Sequence, residues 1–303
     1  MKKTLTLLAL TISFSMNAQL TAVSEGGNTG QRLSTSNASN HGDIGSNAVD
    51  LSYSSSSSST RGATGSNAVA MGLNTTASGT GSTAMGNGTT ASGYNSTAMG
   101  ALSHASGESS TVMGSIVIAS GHNSTAMGKY TIASDFASLV IGQFNSSGSS
   151  ATSASSFSTS APAFVIGNGT GGDARSDAFK VMFNGDATVS NDFTVSGDVV
   201  ISSDARLKSN IVSLGSTLPK LLQIDGKSYE MKGKQKIGVL AQEIQEVFPE
   251  LVSEDDNEML AVNYQGLVPV LINALKEQDA KMKEQQSEID ELKEMVQSLV
   301  SKE

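Results

Sequence analysis

A 14-residue repeat runs through the first half of the chain and constrains its fold more than any other feature. A Met-Gly pair marks each unit, and Ile141-Gly142 continues the series. A Ser-Gly pair recurs with the same period, seven residues out of phase. Constant phase over successive units predicts a repeat architecture, because a disordered Gly/Ser-rich linker has no reason to keep it. The methionines of these pairs are Met71, Met85, Met99, Met113 and Met127.

The repeat favours short β-strands over a coiled coil, although a seven-residue period is typical of both. Each half-unit carries a glycine, which costs roughly 1 kcal/mol in the interior of a helix. Ser, Thr and Asn fill most of the other positions. Small residues with a turn glycine every seven residues predict two strands in each 14-residue coil of a β-solenoid.

Strand alternation assigns the side chains of each unit to two faces. Ser82 and Ala84 share one face, and Thr83 and Met85 share the other. Because alanine recurs in both half-units, we expect it to line the interior of the roll. The methionines recur in only one half-unit, so their ladder is expected to point outwards. An exposed apolar ladder predicts burial against identical neighbours around a symmetry axis.

With its S-x-A-[IMV]-G core, the unit resembles the head repeat of trimeric autotransporter adhesins. One full unit, S-T-A-M-G-N-G-T-T-A-S-G-Y-N, occupies residues 82–95. The resemblance covers about residues 65–142 and implies a left-handed parallel β-roll in which three chains lie side by side. Residues 19–64 are expected to form a low-complexity N-terminal segment.

The middle of the chain is predicted to combine a linker with a β-rich connector. Residues 143–162 are rich in serine and are typical of a linker. Residues 163–202 contain short apolar runs, with a hairpin turn signal at Asn184-Gly185-Asp186. The predicted strands are Phe164–Ile166, Phe179–Phe183, Ala187–Val189 and Phe193–Val195.

The motif S-D-A-R-L-K opens the charged C-terminal part of the chain at Ser203. It is followed by G-x-x-A-Q-E at Gly238–Glu243 and by V-x-Y at Val262–Tyr264. This set resembles the intramolecular chaperone domain of endosialidase-type phage tailspikes, a family of self-cleaving Ser/Lys peptidases. The resemblance covers about residues 202–285, and we place the chaperone and self-cleaving domain at residues 203–270.

The resemblance implies that Ser203 is the nucleophile and Lys208 the general base, with Asp204 and Arg206 as supporting motif residues. A serine needs a proton acceptor, and a lysine can serve only when neutral, which burial or a nearby positive charge such as that of Arg206 would favour. The family cuts its own chain at this serine, so we place the scissile bond between Ser202 and Ser203. Without the resemblance, these residues would be interpreted as a helix-capping serine and a solvated lysine.

Residues 271–303 are predicted to form a coiled coil. They contain neither glycine nor proline, and their apolar residues step by four and three, as in a heptad repeat. Gln278 and Gln285 are polar positions of this seam, and a plain surface helix is the alternative. The apolar seam residues are Leu271, Leu275, Met282, Ile289, Leu292, Val296 and Leu299.

Composition and charge exclude several classes of site. The chain has no cysteine, which excludes disulfides, thiolate metal sites and a cysteine nucleophile. Its three histidines, His41, His104 and His122, lie far apart in sequence, so we expect no metal site and no cofactor. A net charge of −9 argues against nucleic acid as a partner.

The N-terminus is typical of an export signal, which we place at residues 1–18. Lys2 and Lys3 precede a short, mostly apolar run, and Ala18 suits the cleavage position. No later stretch approaches the ~20 apolar residues of a spanning helix. We therefore expect a secreted or cell-surface protein with no transmembrane segment in the mature chain.

These features predict a mostly β fold with an α-helical C-terminus. The expected architecture is a trimeric β-roll head, a β-rich connector and an α+β chaperone domain that ends in a trimeric coiled coil. The expected function is that of a homotrimeric fibre or adhesin that recognises a glycan or protein on a host or environmental surface. Its only predicted enzymatic activity is cleavage of its own chain. The alternatives are a phage-type tail fibre, a glycan-binding or glycan-hydrolysing spike, and a structural trimer that does not cleave.

Overall fold

The computed structural model describes residues 20–146, 154–255 and 258–301. The chain divides into two compact units, the first ending at Asp198 and the second beginning at Val199. The predicted signal peptide lies outside the described residues.

The first unit is a β-roll made of stacked coils, which confirms the predicted fold class. Each repeat contributes a five-residue strand to one parallel sheet and a two-residue strand to another. The long strands are β3 (Val49–Tyr53), β5 (Val69–Leu73), β7 (Thr83–Asn87), β9 (Thr97–Ala101), β11 (Thr111–Ser115), β13 (Thr125–Lys129) and β15 (Leu139–Gln143). The short strands are β4 (Gly62–Ala63), β6 (Thr76–Ala77), β8 (Thr90–Ala91), β10 (His104–Ala105), β12 (Ile118–Ala119) and β14 (Ile132–Ala133).

The register of the sheets follows the repeat. Met85 lies opposite Met99, and Gly86 lies opposite Gly100, so each residue pairs with its equivalent in the next coil. The alanine column is the core: Ala84, Ala91 and their equivalents are fully buried. This confirms that alanine lines the interior of the roll.

The methionine ladder points out of the roll, as its alternation with the alanines predicts. Met71 and Met113 are 42% and 36% exposed, and the other three methionines are half-buried. Within one chain, the ladder is therefore an apolar ridge along the long sheet.

The glycine that follows each methionine is required by the backbone. Gly100 has a φ of +115°, which side-chain-bearing residues rarely adopt. A Cβ built on Gly100 would lie 2.0 Å from the carbonyl oxygen of Gly114 in the next coil. Glycine is thus the residue that lets consecutive coils approach to strand-pairing distance.

Both ends of the long sheet differ from the repeat. At the N-terminal end, β1 (Leu20–Glu25) and β2 (Asn28–Leu33) form an antiparallel hairpin, and β2 pairs in parallel with β3. The roll therefore extends into residues that the sequence suggests are low-complexity. Arg32 on β2 and Asp50 on β3 are buried where the later coils have small residues.

At the C-terminal end, β16 (Pro162–Asn168) pairs in parallel with β15. The predicted serine-rich linker therefore lies between two paired strands of one sheet, and its residues 147–153 lie outside the described residues. β17 (Asp177–Met182) and β18 (Ala187–Val189) add antiparallel strands, with a hairpin at the predicted Asn-Gly-Asp turn.

The prediction of a strand at Phe193–Val195 is wrong. These residues form no strand, and Phe193 is 74% exposed. β18 is the last strand of the long sheet, so no neighbour is hydrogen-bonded to this run within the described chain. Local β-propensity does not make a strand without such a partner.

The second unit combines two small hairpins with three helices. The strands are β19 (Lys227–Met231) with β20 (Lys234–Gly238), and β21 (Val252–Glu254) with β22 (Leu260–Val262). The helices are α1 (Leu218–Leu221), α2 (Ala241–Val247) and α3 (Leu267–Val300). Ile244, Phe248 and Val270 form the buried centre, so the first turns of α3 pack on α2. Of the helices that are described, none is both long and apolar enough to cross a bilayer.

Candidate autoproteolytic site

The structure brings the two predicted catalytic side chains into contact. Ala205–Leu207 form a single 3₁₀ turn, and the carboxylate of Asp204 caps it by accepting a hydrogen bond of 2.9 Å from the backbone N–H of Arg206. This turn sets Ser203 and Lys208 at its two ends. The ammonium nitrogen Nζ of Lys208 donates to Oγ of Ser203 across 2.7 Å.

Asp204 and Arg206 form a forked ion pair beside these two residues. The shortest contact joins Nη2 of Arg206 to Oδ2 of Asp204 at 2.7 Å, and Nε lies 3.0 Å from Oδ1. The hydrogen bonds from Arg206 lower the pKa of Asp204, and the carboxylate raises the pKa of Arg206. The pair therefore stabilises the turn, and it offsets the positive charge that was expected to act on Lys208.

Within one chain, this site is open to solvent. Every residue from 184 to 216 is exposed, and the apolar residues around the site share that exposure. A lysine accepts a proton most readily when it is buried away from water. In one chain the two side chains are in contact, but the site is not buried. The exposed apolar residues are Val199, Val200, Ile201, Leu207, Ile211, Val212 and Leu214.

The downstream motifs contact one another beside the buried centre of the second unit. The hydroxyl oxygen of Tyr264 accepts a hydrogen bond of 3.1 Å from the backbone N–H of Val239. A Cβ on Gly238 would lie 2.6 Å from that hydroxyl, so a larger residue there would displace the tyrosine ring. Glu243 at the start of α2 accepts from the backbone N–H of Asp225 at 3.1 Å. The motif residues thus form one packed scaffold, which explains their occurrence as a set.

Sequence reasoning missed Glu277, which joins the segment after the dyad to α3. Its carboxylate accepts hydrogen bonds from the backbone N–H of Thr217 and from Oγ of Ser216, the latter at 2.7 Å. These bonds lower the pKa of Glu277, the N–H of Thr217 contributing most. The stabilisation is therefore present above the pKa of an unfolded glutamate and is lost as the pH falls through the folded value. Sixty residues separate the partners, so no local pattern could have revealed the contact.

Beyond its first turns, the heptad seam of α3 is uncovered by the rest of the described chain. The helix is 34 residues long, or about 51 Å. Its predicted seam residues are 47–71% exposed, although its first turns are packed.

Among the described residues, no group of three or more His, Asp or Glu side chains could hold a metal ion.

Comparison with known families identifies both parts of the chain. Residues 63–89, 91–115 and 119–144 match the YadA head domain repeat. Residues 203–253 match the family described as chaperone of endosialidase, and that match begins at Ser203. The chain therefore joins YadA-type head repeats to an endosialidase-type chaperone segment.

Two curated proteins share part of the sequence. The long tail fiber protein Gp37 of Enterobacteria phage K3 is 35% identical over 95 residues, which cover 28% of this chain and 8% of that protein. The long tail fiber protein Gp37 of Enterobacteria phage T2 has the same identity over the same length and is covered to 7%. The chain thus spans less than a tenth of the length of these relatives.

Proposed function

We propose that this protein is an exported homotrimeric fibre or adhesin whose C-terminal domain assembles three chains and then releases itself by cutting before Ser203. The observation that carries the proposal is the 2.7 Å contact between Lys208 and Ser203 at the first residue of the chaperone match. The predicted export signal and the adhesin-type repeats support a location outside the cell.

Two exposed apolar surfaces support the trimer. One is the methionine ladder of the roll, and the other is the heptad seam of α3. The ladder repeats identically in every coil, so chains displaced by one coil would make the same methionine contacts. A helical domain that joins the chains at one end would remove this ambiguity. This gives the chaperone domain a physical task that the head cannot perform alone.

The contact between Oγ of Ser203 and Nζ of Lys208 suggests how the chain would be cut. Oγ of Ser203 attacks the carbonyl carbon of Ser202 while its proton passes to the neutral amine of Lys208. The new C–O bond replaces the C–N bond, and the proton moves on to the departing nitrogen of Ser203. Water then hydrolyses the ester, which leaves a carboxylate on Ser202 and a free amine on Ser203.

Assembly would also supply what the site lacks in one chain. Three copies that pack their exposed apolar residues around the dyad would remove it from water. Burial favours the neutral form of a lysine, so cleavage is expected to follow assembly rather than precede it. This order prevents a chain from losing its chaperone too early.

The test is the mass of the protein purified after expression of the full chain. Denaturing mass spectrometry should give a head and a separate fragment that spans residues 203–303, and native mass spectrometry should give a head trimer. An uncut chain that still forms trimers would support the structural trimer without cleavage. A monomer would contradict the proposal.

The relatives favour a phage tail fibre as the second candidate function, because both are long tail fibers. The two candidates differ in the export signal, which the fibre of a phage particle assembled in the cytoplasm does not need. N-terminal sequencing of secreted protein distinguishes them: a mature chain that starts after Ala18 supports the exported fibre.

Leu292→Asp in the heptad seam should weaken the trimer. The change places a carboxylate in the apolar interface proposed for α3, which is unfavourable. We expect the dissociation constant of the uncut Ser203→Ala trimer to rise at least about tenfold, equivalent to ~1.4 kcal/mol per trimer. Sedimentation equilibrium measures it. Ser287→Asp, on the opposite side of the helix, is the matched control, and equal effects of both changes would argue against the seam.

Met99→Asp should weaken the packing of the heads. It puts a charge in the middle of the methionine ladder, where we propose that identical chains meet. The released head should then dissociate at lower denaturant concentrations than wild type, as followed by native mass spectrometry. Ser106→Asp changes an exposed residue outside the ladder and should have little effect. A Met99→Asp head as stable as wild type would exclude the ladder as the interface.

A further inference from the structure

The N-terminal end of the roll has a charged interior, unlike the coils that follow it. Asp50 is paired with Ala70 of the alanine column, and Arg32 is paired with Asp50. Nε of Arg32 lies 3.3 Å from Oδ2 of Asp50, and Nη1 lies 2.7 Å from Oε1 of Glu25. Burying charges is costly even when they are paired, and the alanine core of the next coils shows that the roll does not require them.

His41 completes this buried framework. Its Nδ1 lies 3.0 Å from Oδ2 of Asp50, and its side chain is 1% exposed. Oγ of Ser52 donates to Oδ1 of Asp50 across 2.6 Å, so both oxygens of the carboxylate are engaged. The imidazole is therefore held in one orientation by its surroundings. Rigid polar groups of this kind are typical of a prepared binding site.

A polar cavity of about 420 Å³ lies against this framework. Its lining contains no apolar side chain. A Cβ on Gly42 would lie 2.4 Å from the carbonyl oxygen of Ser59 and 2.8 Å from Cγ2 of Thr64, so an alanine there would overlap these two atoms. The lining residues are Asn28, His41, Gly42, Asp43, Ser58, Ser59 and Thr64.

Several polar groups at the cavity have no partner among the described residues. They are the carboxylate of Asp43, the amide NH₂ of Asn28 and the hydroxyls of Ser59 and Thr64. The amide oxygen of Asn28 accepts from Oγ of Ser46 at 2.8 Å, which fixes the side chain. The carboxylate accepts hydrogen bonds, the amide donates them, and the hydroxyls do both. The cavity therefore offers both the donors and the acceptors that a ligand rich in hydroxyl groups needs.

We propose that this cavity binds one neutral sugar residue of a surface glycan. Two adjacent hydroxyls of the sugar would donate to Asp43, and the amide of Asn28 would donate to a sugar oxygen. No Phe, Tyr or Trp ring lines the cavity, so a single site lacks the stacking that such a ring gives a sugar and binds weakly. The inference rests on the proposed function in one respect, since three linked copies would raise the avidity for a surface.

Saturation-transfer difference NMR on the full-length protein tests the site with free sugars. The probes are D-glucose, D-galactose, D-mannose and N-acetyl-D-glucosamine at millimolar concentration. We expect at least one of them to bind, and Asp43→Asn should lower its affinity at least about tenfold, because the change turns one acceptor oxygen into an NH₂ donor and removes the charge that strengthens both hydrogen bonds. Asp173→Asn replaces an exposed aspartate of the same unit outside the cavity and should leave binding unchanged.

Binding of none of the four sugars by wild type would overturn the proposal, as would equal binding by Asp43→Asn. Asp43 is exposed, so its replacement should not unfold the roll, and thermal unfolding of the variant verifies this. Trimeric mass and fragment release are measured on the same samples, so a failure here is distinct from a failure of the assembly model.

Discussion

Ser203→Ala is expected to abolish release of the C-terminal fragment, so that purified protein has the mass of the uncut chain. The substitution removes the oxygen that attacks the Ser202 carbonyl and leaves the turn around Asp204 intact. Because the seam of α3 and the methionine ladder are unchanged, the variant should still be a trimer. Intact mass spectrometry and native mass spectrometry measure the two results on the same sample.

Three further variants identify the cause of the loss. Lys208→Ala should also remain uncut, because the hydroxyl then lacks its proton acceptor. Lys208→Arg should fail as well, since a guanidinium stays protonated. Ser202→Ala is the matched control: it changes the neighbouring serine but keeps the nucleophile, and it should be cut normally. Cleavage of Ser203→Ala at the same bond would instead indicate an external protease.

Gly100→Ala should destabilise the head severely. The new Cβ would contact the backbone carbonyl of Gly114, which cannot move without disturbing the next coil. The strained φ adds about 1–2 kcal/mol, and the overlap adds about 1–3 kcal/mol. We expect a loss of about 2–5 kcal/mol, seen as a lower thermal midpoint of the released head.

Gly172→Ala is the matched control, because it replaces a glycine with alanine at a position where no coil approaches closely. A Cβ at Gly172 meets no atom within 4 Å, and the residue does not have a positive φ. Its thermal midpoint should therefore stay close to that of wild type. If Gly100→Ala were as stable as this control, the close approach of the coils would not limit stability.

The middle of the head could be predicted because one local rule repeats. Alternation along a strand puts Ala84 inside and Met85 outside, and the 14-residue phase extends this to every coil. The ends could not be predicted in this way. Arg32 and Asp50 lie in the roll although they break the pattern, and their pairing joins residues of different coils. The strand predicted at Phe193–Val195 failed for the opposite reason, because a strand-like sequence pairs with no strand among the described residues.

The dyad was predictable in a different sense. Ser203 and Lys208 are five residues apart, so one short turn is enough to bring them together. The contacts that position this segment are distant, as with Glu277 and Thr217, and they depend on the packing of α3. Sequence can therefore suggest which side chains form the candidate dyad, whereas the environment proposed to make them reactive depends on distant residues and on the proposed additional chains.

The register of the roll makes its length independent of its ends. Each coil pairs only with the coil before it and the coil after it, and equivalent residues face each other at every step. Inserting or deleting one 14-residue unit would change the head by about 4.8 Å, the distance between paired strands, and would restore the same contacts on both sides. The number of repeats therefore sets the length of the head. Gain or loss of whole units would therefore vary the reach of the fibre while the N-terminal cavity and the C-terminal domain stay intact.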